Sequence, residues 1–268
     1  MHPPDRISRR KRARQIVAAR LERLEDLSIG KLVPSSLTLL GLGSGVTAIR
    51  FAVDSKWAVA VTFVIAAIIL DMLDGRAARL LGADSRFGAQ LDSLADLVSF
   101  GVAPGVIMYM WSLKPMGDAG WIAALIFCAC AAIRLARFNV ERVRDEGATK
   151  GNPYFTGLPT PAAACMMLLP LLVSFQWRDP VMNESWVTLI MIAITSVLMV
   201  SRLPTPSIKY MKLQRQHRLL AGICFAALAA ALIAWPWATM TIGLLIYVAS
   251  IPFAIVAHHP RYATKQIS

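Results

Sequence analysis

The chain has 268 residues, 56% of them hydrophobic and only 16% charged, with a mean hydropathy of +0.55. Soluble domains carry about 25% charged residues, so a water-soluble globule is excluded, and 16 Gly without an internal repeat exclude a fibrous chain. The net charge of +12 would suit nucleic acid. In a chain this apolar it reads instead as cytoplasmic loops facing anionic lipid, and no nucleic-acid partner is expected.

The first 33 residues carry nine Lys/Arg, clustered between Arg6 and Arg14, and no apolar run of signal-peptide length. Val17, Leu21 and Leu24 recur at helical spacing beside Ile16 and Leu27. The segment reads as a basic amphipathic helix lying on a membrane surface or, through residue 14, as a solvated tail. From Leu32 onward apolar stretches alternate with short polar breaks. A span needs about 20 apolar residues, and the pattern predicts eight helical spans, near 33–54, 57–80, 87–113, 119–141, 157–176, 185–203, 218–235 and 238–257. Turn chemistry separates them at Asp54–Lys56, Gly82–Ser85, Lys114–Asp118 and Trp235–Trp237.

The predicted fold is thus an all-α polytopic membrane protein. It has a basic segment at 1–31, a membrane domain at 32–258 and a short cytoplasmic tail at 259–268. A cytoplasmic N-terminus leaves only Arg50, Lys56, Lys114 and Arg178, of 28 Lys/Arg, on the outer side. The positive-inside rule therefore puts both termini in the cytoplasm. Cys128, Cys130, Cys165 and Cys224 fall inside spans at spacings that match no zinc or disulfide framework, and read as small buried hydrophobes. His217, His258 and His259 read as interfacial side chains at helix ends.

The chemistry concentrates between residues 71 and 96. Asp71 and Asp74 are three apart on the second helix, and Asp92 and Asp96 four apart on the third. Either spacing puts a pair on one helical face. The turn at Gly82–Ser85, with Asp84 or Ser85 as N-cap, reverses the chain so that the pairs can meet. An Asp at the centre of a membrane helix costs about 2.5–3.5 kcal/mol. Four together need water or positive charge, some of it from Arg76, Arg79 and Arg86. An all-carboxylate cluster suits hard cations such as Mg²⁺, Mn²⁺ or Ca²⁺, and two ions about 3.5–4 Å apart can clamp a phosphoryl group. Gly75 and Ala78 continue one aspartate face, and Gly88, Ser99 and Ala103 the other. Small residues there allow close helix packing and open space for a flat ligand.

The segment Asp71–Asp96 resembles, at all eight specified positions, the signature D-x2-D-G-x2-A-R-x8-G-x3-D-x3-D of the CDP-alcohol phosphotransferase family. The resemblance implies an integral membrane enzyme that displaces CMP from a CDP-linked donor by an alcohol hydroxyl, with two divalent cations, Mg²⁺ or Mn²⁺. Carried over by position, Asp71, Asp74 and Asp92 are expected as metal ligands. Asp96 is expected as general base and as a ligand of the second ion. Gly75, Ala78, Arg79 and Gly88 are expected at nucleotide and phosphate. Relatives commonly have Asn after the proline that opens the first helix, whereas here Ser35 follows Pro34. That weakens the expectation of a nucleotide contact at 35, while Thr38 still fits one.

Two further stretches bear on the acceptor, Arg134–Asn139 and Tyr154–Ala164. Both resemble the branch of the family that uses serine, implying phosphatidyl transfer from CDP-diacylglycerol to L-serine. A serine site should hold an arginine for the carboxylate. Arg134, Arg137, Asn152 and Tyr154 are the acceptor candidates. Inositol phosphate, glycerol phosphate or choline are the alternative acceptors within the family. A cation transporter is the rival of another class, although the chain has no visible repeat. The family also implies a homodimer in contact with membrane lipids, in the cell (inner) membrane with its active site facing the cytoplasm.

Overall fold

The computed structural model describes residues 29–82, 85–145, 158–177, 180–201 and 234–262, with isolated positions between 227 and 232. All regular structure among them is helical. The N-terminal basic segment, most of the expected 218–235 span, Cys224, His217 and the last six residues lie outside the described residues.

Helix α1 (Ile29–Val53) and helix α2 (Trp57–Leu81) form the most extensive pairing in the fold, joined by a tight turn in which Ser55 adopts φ 57°. The third element is one continuous apolar span, Phe87–Met116, assembled from unlike turns. It comprises α3 (Arg86–Asp96), a π-helical stretch (Leu97–Val102), α4 (Ala103–Met108), a second π stretch (Tyr109–Leu113) and a 3₁₀ turn (Lys114–Met116). Helix α5 (Asp118–Asp145) runs back antiparallel.

Among the described residues four helices are long and apolar enough to cross a membrane: Leu32–Val53, Trp57–Leu81, Phe87–Met116 and Asp118–Glu141. The expected 157–176 span is two helices, α6 (Thr160–Met167) and α7 (Leu169–Trp177), bent by 43°, and counted as one it makes a fifth. Pro170 explains the bend, because it has no N–H and its ring crowds the carbonyl four residues back. Helix α8 (Ser185–Val200) is apolar but shorter, and α9 (Pro236–Tyr262) opens on a proline, as expected from the Trp235–Trp237 break.

The buried core runs through the middle of these helices, around Phe127, Met108, Leu113, Met167 and Leu171. The outward surface is also apolar, with Leu40 60% and Val197 68% exposed. Contiguous exposed hydrocarbon on this scale marks a surface that meets lipid rather than water. Cys128, Cys130 and Cys165 are free thiols within this packing.

Chain direction gathers the polar groups at one end. The end of α2, the start of α3, the end of α5, the start of α6 and the end of α8 all lie there.

Candidate active site

Two capping devices build the turn between the aspartate pairs. Gly82 ends α2 in the left-handed conformation, φ 58°, and its N–H bonds Ala78 O, which only glycine does at little cost. Ser85 caps α3, its Oγ accepting from Gly88 N at 3.0 Å. Of the two caps expected, the serine serves. A Cβ on Gly88 would sit 3.0 Å from that Oγ, so this glycine makes room for the cap.

The turn delivers the convergence that the spacing predicted. The carboxylate oxygens of Asp71, Asp74 and Asp92 lie within 4.8 Å of one another. Asp96 lines the same small cavity together with Thr38, Gly41 and Ser99. Asp96 interacts electrostatically with the other three aspartates and with Arg134. The donor set is all oxygen, carries up to four negative charges and sits at the end of membrane-length helices. Such a set fits a hard divalent cation.

Helix α1 forms the third wall. Thr38 is buried, and its Oγ1 donates to Asp74 Oδ2 at 2.8 Å while lying 3.0 Å from Pro34 O. Pro34 sits inside α1 rather than opening it, since the helix begins at Ile29. Ser99, in the first π stretch, donates to Gly41 O at 3.2 Å. A Cβ on Gly45 would lie 2.7 Å from Ser99 Cα, so α1 can approach the π stretch this closely only with glycine there. Neither the π stretch nor Gly45 was visible as part of the site in the sequence.

Gly75 is exposed, with open space where a Cβ would stand, and Arg79 Nε donates to Gly75 O at 2.8 Å. Ala78 is half-buried one turn away. Gly75, Ala78 and Arg79 follow Asp74 on α2, and neither they nor Gly88 are among the residues that line the aspartate cavity.

The acceptor candidates separate. Arg134 Nη1 donates to Thr160 Oγ1, the first residue of α6, and Arg134 Nε is buried without a partner. Arg137 Nη1 donates to Val200 O at 2.8 Å, fastening the end of α8. Ser93 ties α3 to α5, its Oγ lying 3.0 Å from both Asn139 Oδ1 and Ala89 O. Asn152 and Tyr154 lie outside the described residues.

An all-helical membrane protein with a polycarboxylate cavity at one membrane end is the class that fold and site define. The family model for CDP-alcohol phosphatidyltransferase matches residues 31–201, and the chain belongs to that family. A relative from Mycobacterium leprae, named CDP-diacylglycerol–serine O-phosphatidyltransferase, is 37% identical over 236 residues, 87% of this chain and 76% of its own. Proteins of the same name from Mycobacterium tuberculosis H37Rv and Bacillus subtilis 168 are each 34% identical. They cover 86% and 66% of this chain, and 82% and 91% of their own lengths.

Proposed function

We propose that this chain transfers the phosphatidyl group from CDP-diacylglycerol to the hydroxyl of L-serine, releasing CMP. The observation that carries the chemistry is the meeting of Asp71, Asp74 and Asp92 within 4.8 Å, with Asp96 on the same cavity. The acceptor follows from the relatives' shared name.

Asp71, Asp74 and Asp92 would hold Mg²⁺ or Mn²⁺, and a second ion would share Asp96. Bound there, the cations neutralise the diphosphate and the departing CMP. The chain's own groups do the rest. The serine oxygen bonds the phosphorus that carries diacylglycerol, the bond to CMP breaks, and the hydroxyl proton passes to the Asp96 carboxylate. Arg134, beside Asp96, takes the serine carboxylate, with Arg137, Asn152 and Tyr154 as the other acceptor contacts. Gly75, Ala78, Arg79 and Gly88 border the nucleotide and phosphates, and Thr38 backs the metal ligands.

The full topology has eight spans and both termini in the cytoplasm. Residues 1–31 form an interfacial basic segment, 32–258 the catalytic membrane domain and 259–268 a tail. The site opens to the cytoplasm from the inner membrane, among lipids, in a homodimer. The test is purified protein given CDP-diacylglycerol and labelled serine. Label should enter the lipid phase one-for-one with CMP release. Transfer to glycerol phosphate or inositol phosphate but not to serine would reject the acceptor.

A further inference from the structure

A shallow cavity open to solvent adjoins Arg134 and is lined by Arg134, Arg137, Phe138, Glu141, Met199 and Ser201. Four of these occupy positions i, i+3, i+4 and i+7 of α5, so one helical face supplies them. Charge is ordered along that face. Arg134 is innermost, in electrostatic contact with Asp96, with one guanidinium nitrogen on Thr160 and its Nε–H buried without an acceptor. Arg137 follows one turn out, spending one N–H on Val200 O and keeping others of its five. Glu141 follows a turn later, exposed near the end of α5.

At 1.5 Å per residue Arg134 and Glu141 are about 10 Å apart along the axis. Both side chains are long enough to converge on a small molecule between them. From the aspartates outward the sequence of groups is carboxylate, guanidinium, guanidinium, carboxylate. A 2-amino-3-hydroxy acid carries a partner for each kind of group: a hydroxyl on Cβ for the aspartate side, and on Cα a carboxylate for the arginines and an ammonium for the outer carboxylate. A phosphorylated alcohol would bring a dianion against Glu141, and choline would leave both arginines facing a cation. Placing a like charge against the wrong ligand is an effective way to discriminate.

We propose that Glu141 binds the acceptor's ammonium group and so restricts the acceptor to amino acids. The proposal rests on the serine-transfer reading above. Its test uses L-alanine and L-lactate, which share a carboxylate and a methyl and differ in bearing ammonium or hydroxyl. Each is titrated as an inhibitor against serine at saturating CDP-diacylglycerol. The parent enzyme should favour alanine over lactate about tenfold or more, the scale of one charge-assisted hydrogen bond. In Glu141→Gln that preference should collapse to about twofold, and the serine KM should rise about tenfold with a smaller change in kcat. Glu141→Asp should keep the alanine preference, and Glu141→Ala repeats the measurement if the Gln variant does not accumulate. A Glu141→Gln enzyme with the parent's serine KM and alanine preference overturns the assignment while leaving serine transfer standing. A parent that uses a phosphorylated alcohol and refuses serine overturns both.

Discussion

Thr38 and Asp74 are 6% and 5% exposed, and the threonine hydroxyl, with one proton to give, reaches the carboxylate at 2.8 Å. A charge-assisted bond is the stronger of its two options, so Pro34 O is the lesser partner. The Asp74 carboxylate is thereby held in place to face a cation. Partners one shell out from a metal typically contribute about 10–100-fold in affinity. Thr38→Val should therefore weaken Mn²⁺ binding about tenfold or more, read as free Mn²⁺ by electron paramagnetic resonance without substrate, and Thr38→Ser should restore it. Parent-like Mn²⁺ affinity with a raised KM for CDP-diacylglycerol would return Thr38 to the nucleotide contact expected from sequence. Asp96 is tested differently. Asp96→Asn keeps its shape but cannot take a proton, so turnover should fall by about 10²–10⁴ while donor affinity changes less. Near-normal turnover would move the base elsewhere.

At the scale of elements, the site depends on α1 lying against the π stretch that follows Asp96. Overpacking a tight contact costs about 1–3 kcal/mol. Gly45→Ala, whose new methyl would meet Ser99 Cα at 2.7 Å, should lower the melting temperature in detergent and reduce activity with it. Unchanged melting would mean that α1 shifts freely. The aspartate convergence was legible because helical period, a turn and a cap are all local signals. The π turns were not, since nothing in Leu97–Val102 distinguishes a wider turn from an α turn until Ser99 finds Gly41. The break at Leu168 had a local sign in Pro170 that an apolar run concealed. The use of Arg137 on Val200 O was beyond reach, because the two are 63 residues apart and meet only when α5 packs on α8.

Across the whole molecule, the described polar groups of the mechanism sit at one end of helices whose flanks are apolar. The proposal, drawn from the charge count, that this end faces the cytoplasm predicts a labelling pattern in a cysteine-free background. A cysteine at Gly82 should react with impermeant maleimide only in inverted membranes, and one at Lys114 only in right-side-out cells. The reverse pattern would invert the topology. On the proposed function, the four aspartates run a cation-dependent transfer to serine. The most direct measurement is incorporation of labelled serine into lipid by the purified protein, with CDP-diacylglycerol, in excess EDTA and after return of Mg²⁺ or Mn²⁺. Transfer should vanish with the chelator, return with the cation, and fail to return in Asp71→Ala or Asp92→Ala protein that still inserts in the membrane. Undiminished transfer in excess EDTA, or full cation-restored transfer in those variants, would contradict it.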